Sequence, residues 1–127
     1  MPRRASPEFV HRSACPIASA LDLIGDRWTL LILRDLFLEK SKYGEFLESK
    51  EGIPTNILAE RLVRLQKLGL IDKTEYQSNP PRFAYALTEK GKDLRQVLGA
   101  LAMWGKRYVP SSKMNETLRA KLQQKPA

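Results

Sequence analysis

Residues 54–68 read PTNILAERLVRLQKL, with Gly52 just before them and Gly69 just after. Leu58, Leu62 and Leu65 fall at i, i+4 and i+7, the spacing of one buried helical stripe. Asn56, Glu60, Val63 and Lys67 fall on the opposite side of the helical wheel. Arg64 lies on the flank of that outward face and Arg61 nearer the core edge. Pro54 suits the first turn of a helix and Gly69 its stop. The spacing therefore predicts a helix over 54–68 that buries leucine and presents a polar arc.

Upstream, Lys50-Glu51-Gly52 reads as a tight turn, with Gly52 free to take positive φ. It follows a short helix at about 43–49 that carries Tyr43, Phe46 and Leu47 on one side. Asp26 can cap a helix over 27–38 that is apolar nearly all round: Trp28, the run Leu30-Leu31-Ile32-Leu33, Leu36 and Phe37. A helix with so little polar surface is expected at the centre. Pro16 opens an earlier helix, with Ile17, Leu21 and Ile24 at helical spacing before Gly25.

Downstream the period changes from helical to alternating. Thr74 and Tyr76 alternate with polar residues, as do Phe83, Tyr85 and Leu87 with Arg82 and the alanines. Ser78-Asn79-Pro80-Pro81 between the runs is a turn signal. The expectation is a β-hairpin over 72–87, one face on the core and a polar tip near Arg82. Thr88 can cap a last helix over 89–109, although Gly91 stands where a capping box needs an acid. Leu94, Val97, Leu98, Leu101, Trp104 and Tyr108 form its apolar stripe. The expected fold class is mainly α with a small β-hairpin wing (α+β). The expected organisation is a flexible basic arm at 1–14, one domain at 15–110 and a basic polar tail at 111–127.

The 127 residues carry 22 Lys and Arg against 14 Asp and Glu, a net charge of +8. The surplus concentrates in 54–71 and toward the C-terminal end, which points to a polyanionic partner, most often nucleic acid. The longest unbroken aliphatic run is four residues, too short to cross a membrane. No secretory signal is readable, and a reducing cytoplasm (alongside the nucleoid) is the expected compartment. A single cysteine, Cys15, excludes an intrachain disulfide and a multi-thiolate zinc site. With one histidine and no phosphate-cradling glycine motif, neither catalysis nor a metal or other cofactor is expected. The carboxylates Asp22, Asp26, Asp35 and Glu39 sit around helix ends, where capping and charge pairing explain them.

Two short helices joined by a glycine-containing turn and followed by a hairpin make a winged helix-turn-helix. An α-helix fits the major groove of B-DNA, and its N-terminal residues reach base edges. Thr55, Asn56, Glu60 and Arg64 are the expected outward set, with Asn suited to adenine and Arg to guanine. Lys42, Tyr43, Pro54, Arg61, Lys67 and the wing cation Arg82 complete the candidate DNA-binding residues. The bland alternative is a solvated helix face on a winged-helix protein-interaction module that binds no specific DNA. The basic balance of 54–71 and Arg82 weigh against it.

The sequence also resembles the HxlR-type transcriptional regulators, part of a broader MarR-like group. The resemblance lies in Cys15-Pro16, Ile24-Gly25-Asp26-Arg27-Trp28, Ile32-Leu33-Arg34-Asp35-Leu36, Tyr43-Gly44-Glu45-Phe46, Gly52 through Leu58, Arg61-Leu62, Leu65, Gly69-Leu70-Ile71 and Tyr85-Ala86-Leu87-Thr88. It runs through about 15–109 and implies a winged-helix fold, a homodimer and sequence-specific binding of double-stranded DNA that represses or activates transcription. Pro54 departs from the pattern, since such proteins often have Ser there; a hydroxyl cap is lost but a residue suited to the helix start is kept, so the fold is expected intact and only one phosphate contact is put in question.

Two further expectations concern assembly and signal. The stripe on the last helix is too broad for one small chain to hide, so a homodimer through the N- and C-terminal helices is expected, reading two-fold related half-sites. Cys15 sits at a helix N-terminus, which favours a thiolate. The resemblance to redox- or electrophile-sensing members implies a sensor there, against the plain reading of a small packing residue. The alternative signal is a small-molecule effector, apolar or aromatic, in a cleft between the central helix and the last one, lined by Trp28, Phe37, Trp104 and Tyr108, against the plain reading of these aromatics as core.

Overall fold

The structure, a computed structural model, describes residues 13–110, 113 and 116–123. Gly25 ends one helix and Asp26 starts the next. Its carboxylate accepts the Thr29 N–H at 3.0 Å and the Thr29 hydroxyl at 2.6 Å, an N-cap that separates α1 (Pro16–Ile24) from α2 (Arg27–Phe37). A short α3 (Tyr43–Leu47) and a longer α4 (Thr55–Lys67) follow. Gly52 takes a φ of 70° in the turn between them. Gly69, at φ 75°, closes α4: its N–H bonds the Gln66 carbonyl and the Leu70 N–H bonds that of Leu65, each at 3.0 Å. That is the double bond pattern of a glycine-ended helix.

The core forms where α2 meets α4. Ile32, Leu33, Leu36 and Phe37 pack with Leu58, Leu62 and Leu65, with Phe46 of α3, and with Leu70 and Ile71. All three leucines of the α4 stripe are buried, as their spacing predicts. Strands β1 (Ile71–Ser78) and β2 (Pro81–Leu87) pair antiparallel from Ile71 opposite Leu87 to Ser78 opposite Pro81, with a bulge between Glu75 and Gln77. The segment before α3 adds a third short pairing. Lys42 bridges Ala84, and the Tyr85 N–H donates to the Ser41 carbonyl at 2.8 Å. Helix-turn-helix followed by hairpin makes this a winged helix-turn-helix, mainly helical.

Three expectations need correction. The hairpin has a core face only at its base: Ile71 is the one buried residue of β1, and Thr74 and Tyr76 are exposed. The strands project away from the body, anchored by Tyr85 edge-on to Phe46 at 6.3 Å. The last helix is two helices, α5 (Glu89–Lys92) and α6 (Arg95–Tyr108). Thr88 does cap α5, but a tight turn with Leu94 N–H on the Gly91 carbonyl breaks the run. Finally, the expected polar tail contains α7 (Glu116–Leu122), whose Leu122 is buried and whose Leu118 packs on the core. Those two apolar residues one turn apart, together with the Arg95 Nε bond to the Lys121 carbonyl at 3.1 Å, seat that helix on α6 and α2. Residues 1–12 of the expected arm, and 111, 112, 114, 115 and 124–127 of the tail, lie outside the described residues.

A polar network locks α2 to the turn ahead of α4. Arg34 makes a two-pronged contact with Glu51 at 2.8 and 2.9 Å and reaches the Asp35 carboxylate at 2.8 Å. Asp35, only 3% exposed, also accepts the Ser49 hydroxyl. The Arg34 guanidinium, helped by nearby charge and opposed by partial burial, holds the Glu51 carboxyl down to about 2 from 4.5. Because the folded-state value is the lower one, the stabilisation is complete above about 4.5 and disappears as pH falls through about 2. Glu51→Gln should cost about 1–2 kcal/mol in urea denaturation at pH 7. The difference from wild type should close as the pH is lowered through that window.

Candidate nucleic-acid interface

With its leucines held inward, α4 exposes Thr55, Asn56, Ala59, Glu60, Val63 and Lys67. Pro54, expected within the first turn, is the N-cap residue, extended at φ −64° and ψ 145°, and it gives no side-chain cap. Tyr43 steadies this end of the helix by donating its hydroxyl to the Thr55 carbonyl at 2.8 Å. Glu45 in turn fixes the start of α3, its carboxylate accepting the Ser41 and Lys42 N–H groups at 2.8 and 2.9 Å. Those two bonds, Ser41 first, pull the Glu45 carboxyl below its ordinary value.

Between α3 and the wing lies an open cleft of about 500 Å³ lined by Lys42, Tyr43, Tyr76, Arg82 and Phe83, among others. The Lys42 ammonium stands 4.8 Å from the Tyr76 ring centre, and the Lys73 ammonium 4.1 Å from that of Phe83. Arg82 is exposed on β2, opposite Gln77. The structure thus brings Lys42, Tyr43 and Arg82 together. Tyr76 belongs with them, and sequence periodicity assigned it instead to the core; the bulge beside it was the missing information.

The other flank of α4 behaves differently. Arg61, expected near the core edge, donates Nε to Asp26 at 2.9 Å and also pairs with Glu60. Arg64, expected outward beside Asn56 and Glu60, turns instead toward the α1–α2 junction. It donates to the Asp22 carbonyl at 3.0 Å and reaches Asp26 at 3.4 Å. An arginine so engaged and half-buried is not presented as a guanine reader, so the outward set loses Arg64. Burial works to raise the Asp26 carboxyl, but bonds from Thr29 and Arg61 outweigh it and hold it below its ordinary value.

The aromatic cleft expected for a ligand is not formed. Phe37 is buried with Arg95 stacked 5.4 Å away, and Trp28 lines a small crevice beside Ile32 and Phe46. Trp104 and Tyr108 pack on each other at 5.3 Å along a separate, open groove on α6. Cys15 is exposed as the N-cap residue of α1. Among the described residues, no cluster could hold a metal ion and no helix is long and apolar enough to cross a membrane.

Comparison with known proteins agrees with the fold. The family described as HxlR-like helix-turn-helix matches residues 23–113. An uncharacterised HTH-type transcriptional regulator of Mycobacterium tuberculosis is 45% identical over 94 residues, covering 74% of this chain and 59% of that protein. The chain thus spans under two thirds of its mycobacterial relative. The crystal structure of PA1607, a candidate transcription factor, superposes with a TM-score of 0.73 at 38% identity, covering 82% of this chain and 73% of that one. The redox regulator HypR in its oxidised form superposes with a TM-score of 0.68 at 27% identity, covering 80% of this chain and all of HypR.

Asp26 caps α2 and holds two arginines of α4, so its replacement tests how α4 is seated. Asp26→Ala should lower stability by about 2–3 kcal/mol and Asp26→Asn, which keeps an acceptor for Thr29, by about 1 kcal/mol. Urea denaturation measures both; equal midpoints for all three proteins would show that the clasp contributes nothing.

Proposed function

The chain belongs to the HxlR-like helix-turn-helix family of transcriptional regulators, and from that premise we propose that it is a homodimer that binds a two-fold related operator sequence. The observation that carries the reading is the outward arc of α4 beside the Lys42–Arg82 cleft. Laid in a major groove, that arc puts Asn56 where an adenine edge is read and Glu60 where a cytosine amino group is accepted. Lys67 approaches the backbone. Lys42 and Arg82, beside Tyr43 and Tyr76, meet the neighbouring phosphates or minor groove, so they contribute affinity more than sequence choice. Such a protein works in the cytoplasm, at the nucleoid.

Two unpartnered helix faces support the dimer. None of the α1 side chains is buried; Ile17 is 72% exposed and Leu21 also lies open. Leu98 of α6 and Leu94 just before it face the core, whereas Val97, Leu101, Trp104 and Tyr108 do not, Trp104 being 64% exposed. Those four recur at i, i+4, i+7 and i+11, the seam a second copy would cover. Helix-turn-helix dimers read half-sites about one duplex turn or a multiple of it apart, the spacing expected of two α4 helices in such a pair.

Salt titration tests both halves of this reading. Wild type should bind operator with an affinity that falls steeply on a log–log plot against salt, each neutralised phosphate adding about 0.9 to the slope. Leu101→Glu should run as a monomer in light scattering, keep its helical signal, and lose most of that affinity. A salt-independent affinity would favour the protein-interaction module instead.

An effector reading rests on Cys15, the exposed thiol at the start of that same unpartnered α1. With one cysteine per chain, oxidation by diamide joins Cys15 of one subunit to Cys15 of the other, the two thiol protons and two electrons passing to diamide; a small-thiol adduct is the other product. Diamide should change operator affinity severalfold in wild type and leave Cys15→Ser unaffected. Identical responses in the two proteins would remove the sensor.

A further inference from the structure

The outward arc of α4 is not uniformly polar. Ala59 and Val63 stand one turn apart and both are open to solvent, Val63 at 51%. Thr55, a turn earlier, extends the row with its methyl group. On the helical wheel Asn56, Lys67 and Glu60 lie about 20–60° to one side of Val63 and Ala59 about 40° to the other, so Val63 stands on the exposed arc beside the polar group. A β-branched apolar residue there adds nothing to the core and is a poorer helix former than Lys, Glu or Gln. A major groove offers one apolar feature on its floor, the thymine 5-methyl group, which alanine, threonine and other methyl-bearing side chains contact.

We propose that Val63, with Ala59 beside it, reads the 5-methyl group of a thymine in each half-site, next to the base edges met by Asn56 and Glu60. The inference rests on the placement of α4 in the major groove. It adds a base identity that no hydrogen-bonding residue of the arc supplies. Contact of this kind excludes water from both surfaces, so its worth is that of roughly one buried methyl group, about fourfold in affinity per half-site. Cytosine, which lacks the methyl group, would be discriminated against at that position even where hydrogen bonding is lenient.

Operator fragments are first selected with purified wild-type protein. Each thymine is then replaced in turn by deoxyuridine, which pairs identically and lacks only the methyl group. At one thymine per half-site the affinity should fall about fourfold, and about tenfold or more when both half-sites are changed. In Val63→Ser, whose site is exposed and whose fold should be intact, the same replacement should change affinity less than twofold. The cost of altering the base pair read by Asn56 should remain. A selected operator that tolerates deoxyuridine at every position, or a penalty that persists in both Val63→Ser and Ala59→Gly, overturns the proposal and leaves the DNA-binding reading standing. Failure to select any sequence overturns both.

Discussion

The structure depends on three leucines of α4 pressed against α2. Leu58, Leu62 and Leu65 are essentially inaccessible, and each contributes about 1.5–3 kcal/mol through burial against Ile32, Leu33 and Leu36. Helix propensity and surface charge pairs, worth a few tenths of a kcal/mol each, cannot compete with that sum. The stripe decides which side of α4 is hidden and hence which side is offered. Asp26 then restricts its rotation by holding Arg61 and Arg64 on one flank.

Those flank contacts also join α4 to the first helix and to its junction with α2. Asp22 belongs to α1, the helix that begins at Cys15 and carries Ile17 and Leu21 on its open face. Asp26 belongs to the junction of α1 and α2. Helices α1 and α4 are therefore connected directly through Arg64 and, by way of the junction, through Arg61 and Asp26. On the opposite side Tyr43 and Lys42 perform a similar task, tying the first turn of α4 and the wing to α3.

Local chemistry made much of this legible. Pro16, Asp26, Gly69 and Thr88 marked helix ends within a residue or two, and Gly52 marked the turn between α3 and α4, because capping and positive φ are requirements of a single turn. The apolar periods identified α2 as central and α4 as amphipathic for the same reason. Features set by partners far along the chain were not legible. Arg64 looks outward on a wheel, yet a long side chain can lean a full turn to reach groups about forty residues away. Two leucines in a basic tail gave little sign that α7 would dock on α6, where Gly99 lies 3.4 Å from the Leu122 carbonyl by its would-be Cβ. Gly91 is similar: a side chain there would meet the Leu70 carbonyl at 2.2 Å, a close approach that only packing reveals. Alternation in β1 suggested a buried face, but a hairpin that projects from the body has little to bury against.

The placement of α4 is tested most directly by a hydroxyl-radical source tethered to it. An iron chelate attached through a cysteine at position 66, beside the outward arc and not on it, in a Cys15→Ser background, should cut operator DNA at two clusters about one helical turn apart, with the strand offset of attack from the major groove. The same chelate at position 96, exposed on α6 away from Val97, Leu101 and Trp104, should give no cutting above background. Equal or stronger cutting from position 96, or diffuse cutting from position 66, would contradict the account.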